Sequence, residues 1–564
     1  MLITMGLPIF YLELCLGQYT AFGPIKSFSR MAPAFHGVGY STLVVIALVI
    51  IYYMVIVAWT LFYTFASFLP RLAWAYCDND FNTKYCYSGL DDINCQKSNT
   101  MFFNKTCMTF DDVCMGFFNS SKGNSTGCFK NDGGFQLFTS LYTRILSSEE
   151  YYSDYVLGIR GATWENFGSI RWEVFGCLTL AWVICCLCLI RGVQSVGKIV
   201  YFTALFPYVI LIALLIRGVT LGEGATDGIL WYITPDWSTL KNAKVWGDAA
   251  SQIFYSLGIS CGSLITLSSY SKFNNNCHRD AIFVSITNLF TSVFAGFVIF
   301  SVLGFLAQQM HMPINKVVQS GPGLAFIAYP EAVARMPLPN LWAVLFFFML
   351  FVLGLGSQFA GVQAINTAIL DKWPNLRKRE GFVIIGICIV CWLLAIPMVY
   401  GGGIYMFTLM DWNTASWAIL LIGVAEVVEA SWCYGCNKFL DNVAEMGMHF
   451  SRFFHGYWWL SWVVLAPLTC LGIFIYQTST YTVATYGSYK FPKWADAIGI
   501  LIGLSTLAPM PIFFVIKLWQ AKNYRSLFQP SPLWGPATKR NAPDDDSDNT
   551  AVVNPAYDNS SDKA

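Results

Sequence analysis

Apolar runs long enough to cross a bilayer recur along this chain, separated by shorter polar stretches. They lie near residues 1–20, 40–68, 173–190, 199–218, 246–270, 281–307, 341–370, 381–400, 414–435, 457–476 and 494–517. A helix of about 20 apolar residues spans the hydrocarbon core, so the pattern predicts an all-α, polytopic membrane protein with about eleven spans. The fifth run breaks its own pattern. Between Asn242 and Arg279 the apolar positions are interrupted by Gly258, Ser260, Cys261, Gly262 and Ser263. Backbone groups in lipid must be satisfied, so small and polar residues at mid-depth need a reason. One reason is a discontinuous helix whose free ends hold substrate and coupling ion; the other is the general tolerance of membrane helices for glycine.

Composition agrees with the pattern. Hydrophobic residues make up 55% and charged residues 12%, and the mean hydropathy is +0.51. The net charge of +1 selects no partner, and no nucleic-acid partner is expected; membrane lipid is. Positive charge marks cytoplasmic loops. Lys26 and Arg30, Arg191 and Lys198, Lys272 and Arg279, Arg377 to Arg379, Lys438 and Arg452, and Lys517 to Arg525 fall in alternate connections. The long polar connection at 68–172 is therefore expected outside and residues 521–564 inside, as a disordered cytoplasmic tail rich in Asp, Ser and Pro. About eleven spans with an inside C-terminus leave the N-terminus outside. The first residues carry no signal-peptide features, so at least one further span upstream is expected.

The long loop carries Cys77, Cys86, Cys95, Cys107, Cys114 and Cys128, and glycosylation sequons at Asn104, Asn119 and Asn124. Six cysteines in an outside loop predict disulfides, with 15 possible pairings. The remaining twelve cysteines, including Cys433 and Cys436, read as packing residues. Glu13, Glu426 and Glu429 fall in or near spans, where an ionised group costs about 2.5–3.5 kcal/mol. Glu426 and Glu429 are three apart and share a helix face, which could look onto an aqueous vestibule. There is no nucleotide loop, HExxH or nucleophile elbow, so no enzyme chemistry is expected. The span count does not suit a seven-helix receptor, and no pore-loop motif is present.

The segments GLPIFYLELCLGQY at 6–19, IIYYMVIVAW at 50–59, DAASQIFYSLG at 248–258, SSYSKFNNNC at 268–277 and AGFVIFSVLGF at 295–305 resemble the neurotransmitter:sodium symporters. These are sodium- and chloride-dependent carriers of amino acids and amines. The likeness covers nearly all of 1–520, the expected transporter domain. Within the family it runs to the glycine transporters, through residues 197–221, LITLSSY at 264–270, GGIYMF at 402–407 and TYGSYKFPKW at 485–494.

The resemblance implies an inverted-repeat fold of five plus five helices followed by two more. The broken run is then the sixth helix, and the chain begins within the second. The family's first helix, with ligands for both sodium ions and the external gate arginine, is expected to lie before Met1. On that reading the chain as written would not accumulate substrate, and the alternative function is a transport-inactive membrane protein acting through full-length relatives.

The resemblance also implies site residues. Gln252, Ser256, Asn288 and Ser292 match chloride ligands. Ser256 and Asn288 match the first sodium site, and Leu353, Gly356 and Ser357 the second. Gly356 departs from the family's frequent Asp and leaves that site short of an oxygen. Tyr53, Tyr255, Ser256, Cys261 and Ser357 match the substrate pocket. Cys261 stands where glycine transporters carry a bulky Trp, so the pocket should admit larger substrates. Cys77 and Cys86 match the family's loop disulfide, with Cys95, Cys107, Cys114 and Cys128 free for two more bridges. Glu13 matches a structural hydrogen-bonding group. The function implied is plasma-membrane symport of a small neutral amino acid with sodium and chloride by alternating access, with glycine leading.

Overall fold

A computed structural model of the 564-residue chain describes residues 1–538, except 119, 121, 125–126, 130–134, 138–144, 191–192, 310–312, 318–320, 415–416, 488 and 522. Among the described residues nine helices are long and apolar enough to cross a membrane: Leu2–Thr20, Pro33–Ser67, Trp172–Leu189, Ile199–Val219, Cys277–Gln308, Pro339–Lys372, Pro374–Val399, Gly403–Glu445 and Arg452–Ser479. The pair Lys493–Leu507 and Pro509–Gln520, bent by 42°, makes a tenth. The bend falls at Pro509, which cannot donate the backbone bond that would keep the helix straight. The remaining expected span, the fifth, is two short helices, Ala243–Leu257 and Ser263–Ser268.

The ninth span differs from its expected bounds of 414–435, since its helix begins at Gly403. Asp411, Asn413 and Thr414 lie in its opening turns. Their polarity hides the helix start from hydropathy. Asn413 and Thr414 are fully buried, and the amide of Asn413 donates to the Leu409 carbonyl at 3.0 Å, so protein rather than lipid surrounds them.

Spans two and seven form the central pair. Small residues let them touch: a Cβ on Gly361 would lie 2.3 Å from Ile50, and one on Gly354 2.7 Å from Val57. The Gln358 amide donates to the Ile50 carbonyl at 2.9 Å across the same contact. Small interfacial residues and such polar bonds are how helices associate in lipid, where burial of apolar surface supplies no driving force.

The loop at 68–171 is irregular and stapled. Disulfides join Cys77 to Cys86, Cys95 to Cys107 and Cys114 to Cys128, with Cα separations of 5.8, 5.3 and 5.6 Å. The first is the expected pair, and the other two resolve the pairing of the four further cysteines. Asn104 and Asn124 are exposed; Asn119 lies outside the described residues. A buried ion pair, Arg335 to Glu331 at 2.7 Å, lies in the connection before span seven, and Arg335 packs against Gly89 of the long loop.

On the opposite side the chain beyond the last span folds back. The Ser531 amide donates to the Arg30 carbonyl at 2.9 Å, and the Trp534 indole to the Tyr434 hydroxyl at 3.0 Å. Leu527 is buried there. Residues 539–564 lie outside the described residues.

Candidate functional site

The break in the fifth span is built by backbone geometry. Gly258, Ser260 and Gly262 all take left-handed conformations, with φ of +65°, +59° and +72°. Alternation of left-handed residues ends the first half-helix and delays the second, because no helical hydrogen-bond ladder can run through them. Glycine adopts this conformation freely. At Gly262 a side chain is also excluded by space, as a Cβ would lie 2.9 Å from the Thr42 hydroxyl and 3.0 Å from Pro24.

Ser260 is held there from behind. Its amide donates to Oε1 of Glu13 at 2.6 Å, and its hydroxyl to Oε2 of Glu426 at 3.0 Å. Two carboxyls from spans one and nine thus satisfy the backbone that the break frees, as lipid requires. This agrees with the structural role expected for Glu13. The expectation that Glu426 and Glu429 look onto an aqueous vestibule is corrected: both are fully buried. They share a face as foreseen, but Glu426 meets Ser260 of the broken span and Glu429 the Ala32 backbone in the connection after span one, not water. Spans one and nine each come close to the broken span because their contact residues are glycines. A Cβ on Gly17 would lie 2.2 Å from the Ile265 carbonyl, and one on Gly423 2.9 Å from the Ser260 hydroxyl.

The other side of the break is open and polar. Ser256 and Asn288 pair directly: the Asn288 amide donates to Ser256 Oγ at 2.9 Å, and the Ser256 hydroxyl lies 3.1 Å from Asn288 Oδ1. The Ser292 hydroxyl donates back to the Asn288 carbonyl of its own helix at 2.9 Å. Gln252 and Tyr255 are exposed and line a cavity of about 570 Å³ with Asp411, Trp412 and Gln477. Tyr53 lies beside Ser357. Tyr255 has Tyr53, Asp411 and Cys261 as its titratable neighbours, so four of the expected pocket residues, Tyr53, Tyr255, Cys261 and Ser357, gather at the break. Gly356 faces Thr203, whose hydroxyl a Cβ there would meet at 3.8 Å. The Leu353 side chain lines a different, almost wholly apolar cavity of about 580 Å³ between spans four, six and seven; its expected contribution is a backbone carbonyl.

Two acids escaped the sequence reading. Asp411 shares the cavity with Tyr255 and Gln252. It falls just before the expected start of span nine, at 414, so hydropathy gives no signal for it. Asp371, at the C-terminal end of span seven, accepts from the Gly23 amide at 2.8 Å and pairs with Arg377 at 3.4 Å. It joins span seven to the turn after span one, and the basic Arg377 six residues on was its clue.

Chemically, the open side offers neutral oxygens and amides beside the break, with Asp411, Asp248 and Lys244 of opposite charges lining the cavity. That suits a small ion and a zwitterion more than a strongly charged ligand. Ser256 and Asn288 supply two oxygens of the several a hard cation needs.

Known proteins agree with this geometry. The profile of the sodium:neurotransmitter symporter family matches residues 1–122 and 109–521. The sodium- and chloride-dependent glycine transporter 1 of Xenopus laevis is 39% identical over 546 residues, covering 95% of this chain and 81% of that protein. Glycine transporter 2 of the same organism is 41% identical over 550 residues, covering 95% of this chain and 66% of that protein. Among solved structures, MhsT in complex with L-phenylalanine superposes with a TM-score of 0.61 at 20% identity, over 84% of this chain and 89% of MhsT. That likeness carries the fold: a discontinuous helix inside a bundle of spans. This chain is a multi-span membrane protein that belongs to the sodium:neurotransmitter symporter family.

Proposed function

We propose that this protein carries a small neutral amino acid across the plasma membrane together with sodium and chloride, by alternating access around the break in the fifth span. The observation that carries the reading is the run of three left-handed residues at 258–262, set between a sealed face and a polar, open one. The two half-helix ends that meet there carry opposite dipoles, which suit the two charged ends of an amino acid. Tyr53, Tyr255, Ser256, Cys261 and Ser357 form the pocket around them. Ser256 and Asn288 hold part of one sodium shell, and Leu353, Gly356 and Ser357 part of a second. Gln252, Ser256, Asn288 and Ser292 hold chloride. Sodium and chloride are cargo here, and their gradients drive uptake.

Glycine is the first candidate, since both Xenopus relatives bear that name. Cys261 argues for a wider range, because a thiol leaves space that an indole would fill. The test is radiolabelled uptake in cells, with glycine, alanine and proline offered in turn. Sodium is replaced by choline and chloride by gluconate. Uptake of at least one substrate that collapses in either replacement supports the reading; uptake equal with and without sodium overturns it. Cys261→Trp should abolish uptake of the larger substrates and spare glycine.

A further inference from the structure

A group of sulfur atoms on the cytoplasmic side of the first span has no part in the site above. Cys15, in span one, and Cys277, which opens span six, have their sulfurs 3.5 Å apart. Cys277 Sγ lies 3.7 Å from Sδ of Met448, and the Tyr11 hydroxyl donates to the same thioether at 3.8 Å. Cys15 is fully buried, Cys277 is 2% exposed and Met448 5%. The Tyr11 ring stacks on Trp462 and meets Trp458 and the edge of His278, so the sulfurs sit behind an aromatic wall. They join chain segments 262 and 171 residues apart.

We propose that Cys15, Cys277 and Met448 form a binding site for one monovalent copper ion supplied from the cytoplasm. Three arguments carry it. The donor set is entirely sulfur, two thiols and a thioether, which selects soft Cu(I) over hard or borderline dications. Among the described residues no three His, Cys, Asp or Glu side chains group with metal-ligand spacing, so no zinc-type alternative competes at this place. The spacing also fits. With metal–sulfur bonds near the ~2.3 Å typical of thiolate ligation, a flat three-sulfur site needs sulfurs about 4 Å apart. The observed separations of 3.5 and 3.7 Å need only a few tenths of an ångström of spreading. Finally, the compartment keeps thiols reduced and available.

Access needs no helix to unpack. Met448 lies in the connection 446–451, beside Gly447, whose φ is +91° and whose Cβ position has no neighbour within 4 Å. Cys277 follows a connection, 271–276, that is partly exposed. Binding displaces the thiol protons to water, and no electron is transferred. The ion would tie span one, span six and the connection after span nine to one point.

The test uses the purified full chain in detergent, with Cu(I) buffered by bicinchoninate and the bound copper counted by atomic absorption after desalting. Cys15→Ser and Cys277→Ser should each lose one copper per chain relative to the parent. Met448→Leu conserves volume, so it folds, and it should bind that copper at least tenfold more weakly. The pair Cys185→Ser/Cys388→Ser, elsewhere in the bundle, should leave this copper in place. Equal copper in Cys15→Ser or Cys277→Ser and the parent overturns the site, and unchanged affinity in Met448→Leu overturns the three-sulfur assignment. Recovery of a Cys15–Cys277 disulfide from freshly lysed cells also overturns it, since the pair would then be oxidised.

Discussion

The two faces of the break in the fifth span are made from similar residues and do opposite things. On the sealed face Glu13, Ser260 and Glu426 are fully buried, and both carboxyls accept from Ser260. On the open face Tyr255 is 47% exposed and Gln252 and Ser292 face outward, while Ser256 and Asn288 pair side chain to side chain. The sealed face fixes the backbone; the open face leaves exchangeable polar groups. A polar residue in a span is thus structural or functional according to whether its partner is the backbone of the break or a group that an ion can displace.

Removing the sealed-face partner should have the largest effect. Glu13→Ala leaves the Ser260 amide buried without an acceptor, a loss of about 1–3 kcal/mol. It should lower the melting temperature, measured by fluorescence-detected size exclusion, and abolish uptake with it. Glu13→Gln keeps an acceptor and should retain most of both. Next comes the open face: Asn288→Ala should raise the sodium concentration for half-maximal uptake at least about tenfold, which is about 1.4 kcal/mol, without changing the melting temperature. If stability falls instead, the two faces are not separate in function. Smaller again, Ser292→Glu should lower the external chloride requirement, because a fixed carboxylate replaces the ion; unchanged chloride dependence removes Ser292 from the anion site.

The smallest effect lies away from the break and serves as its control. Burial, and then the neighbouring charge of Glu150, raise the carboxyl pKa of Glu149 in the long loop above its ordinary value. The folded state therefore holds that proton more tightly than the unfolded chain. The resulting stabilisation is present at acid pH and is lost as pH rises through the folded value. Glu149→Gln should raise the melting temperature slightly at pH 8, leave it unchanged near pH 4, and leave sodium affinity untouched at both.

Much of this was legible in sequence because lipid imposes simple rules. Span length and apolar content located ten spans, and the break announced itself as small polar residues where a helix should be apolar. What stayed hidden depended on neighbours. Glu426 and Glu429 were correctly assigned to one helix face, yet nothing in that helix says whether the face meets water or Ser260. The start of the ninth span was missed because Asp411, Asn413 and Thr414 interrupt its apolar run. The pairings Cys95–Cys107 and Cys114–Cys128 follow from a loop path that spacing does not encode. Asp371 was overlooked because its partner, the Gly23 amide, lies 348 residues away.

The three left-handed residues also divide the chain mechanically. The half before them is tied to span ten, where the Gln477 amide donates to the Ser251 hydroxyl at 2.8 Å. The half after them is seated on Gly17 of span one. Residues 258–262 therefore act as a joint between two short helices with separate anchor points, the first on Gln477 and Gly6 and the second on Gly17. Any turn of one half-helix against the other is taken up in those few torsions, with both helical ladders left intact. Of the residues in the proposed pocket, Cys261 lies inside the pivot and Tyr255 and Ser256 lie just before it, so a ligand held there would rest beside the bearing.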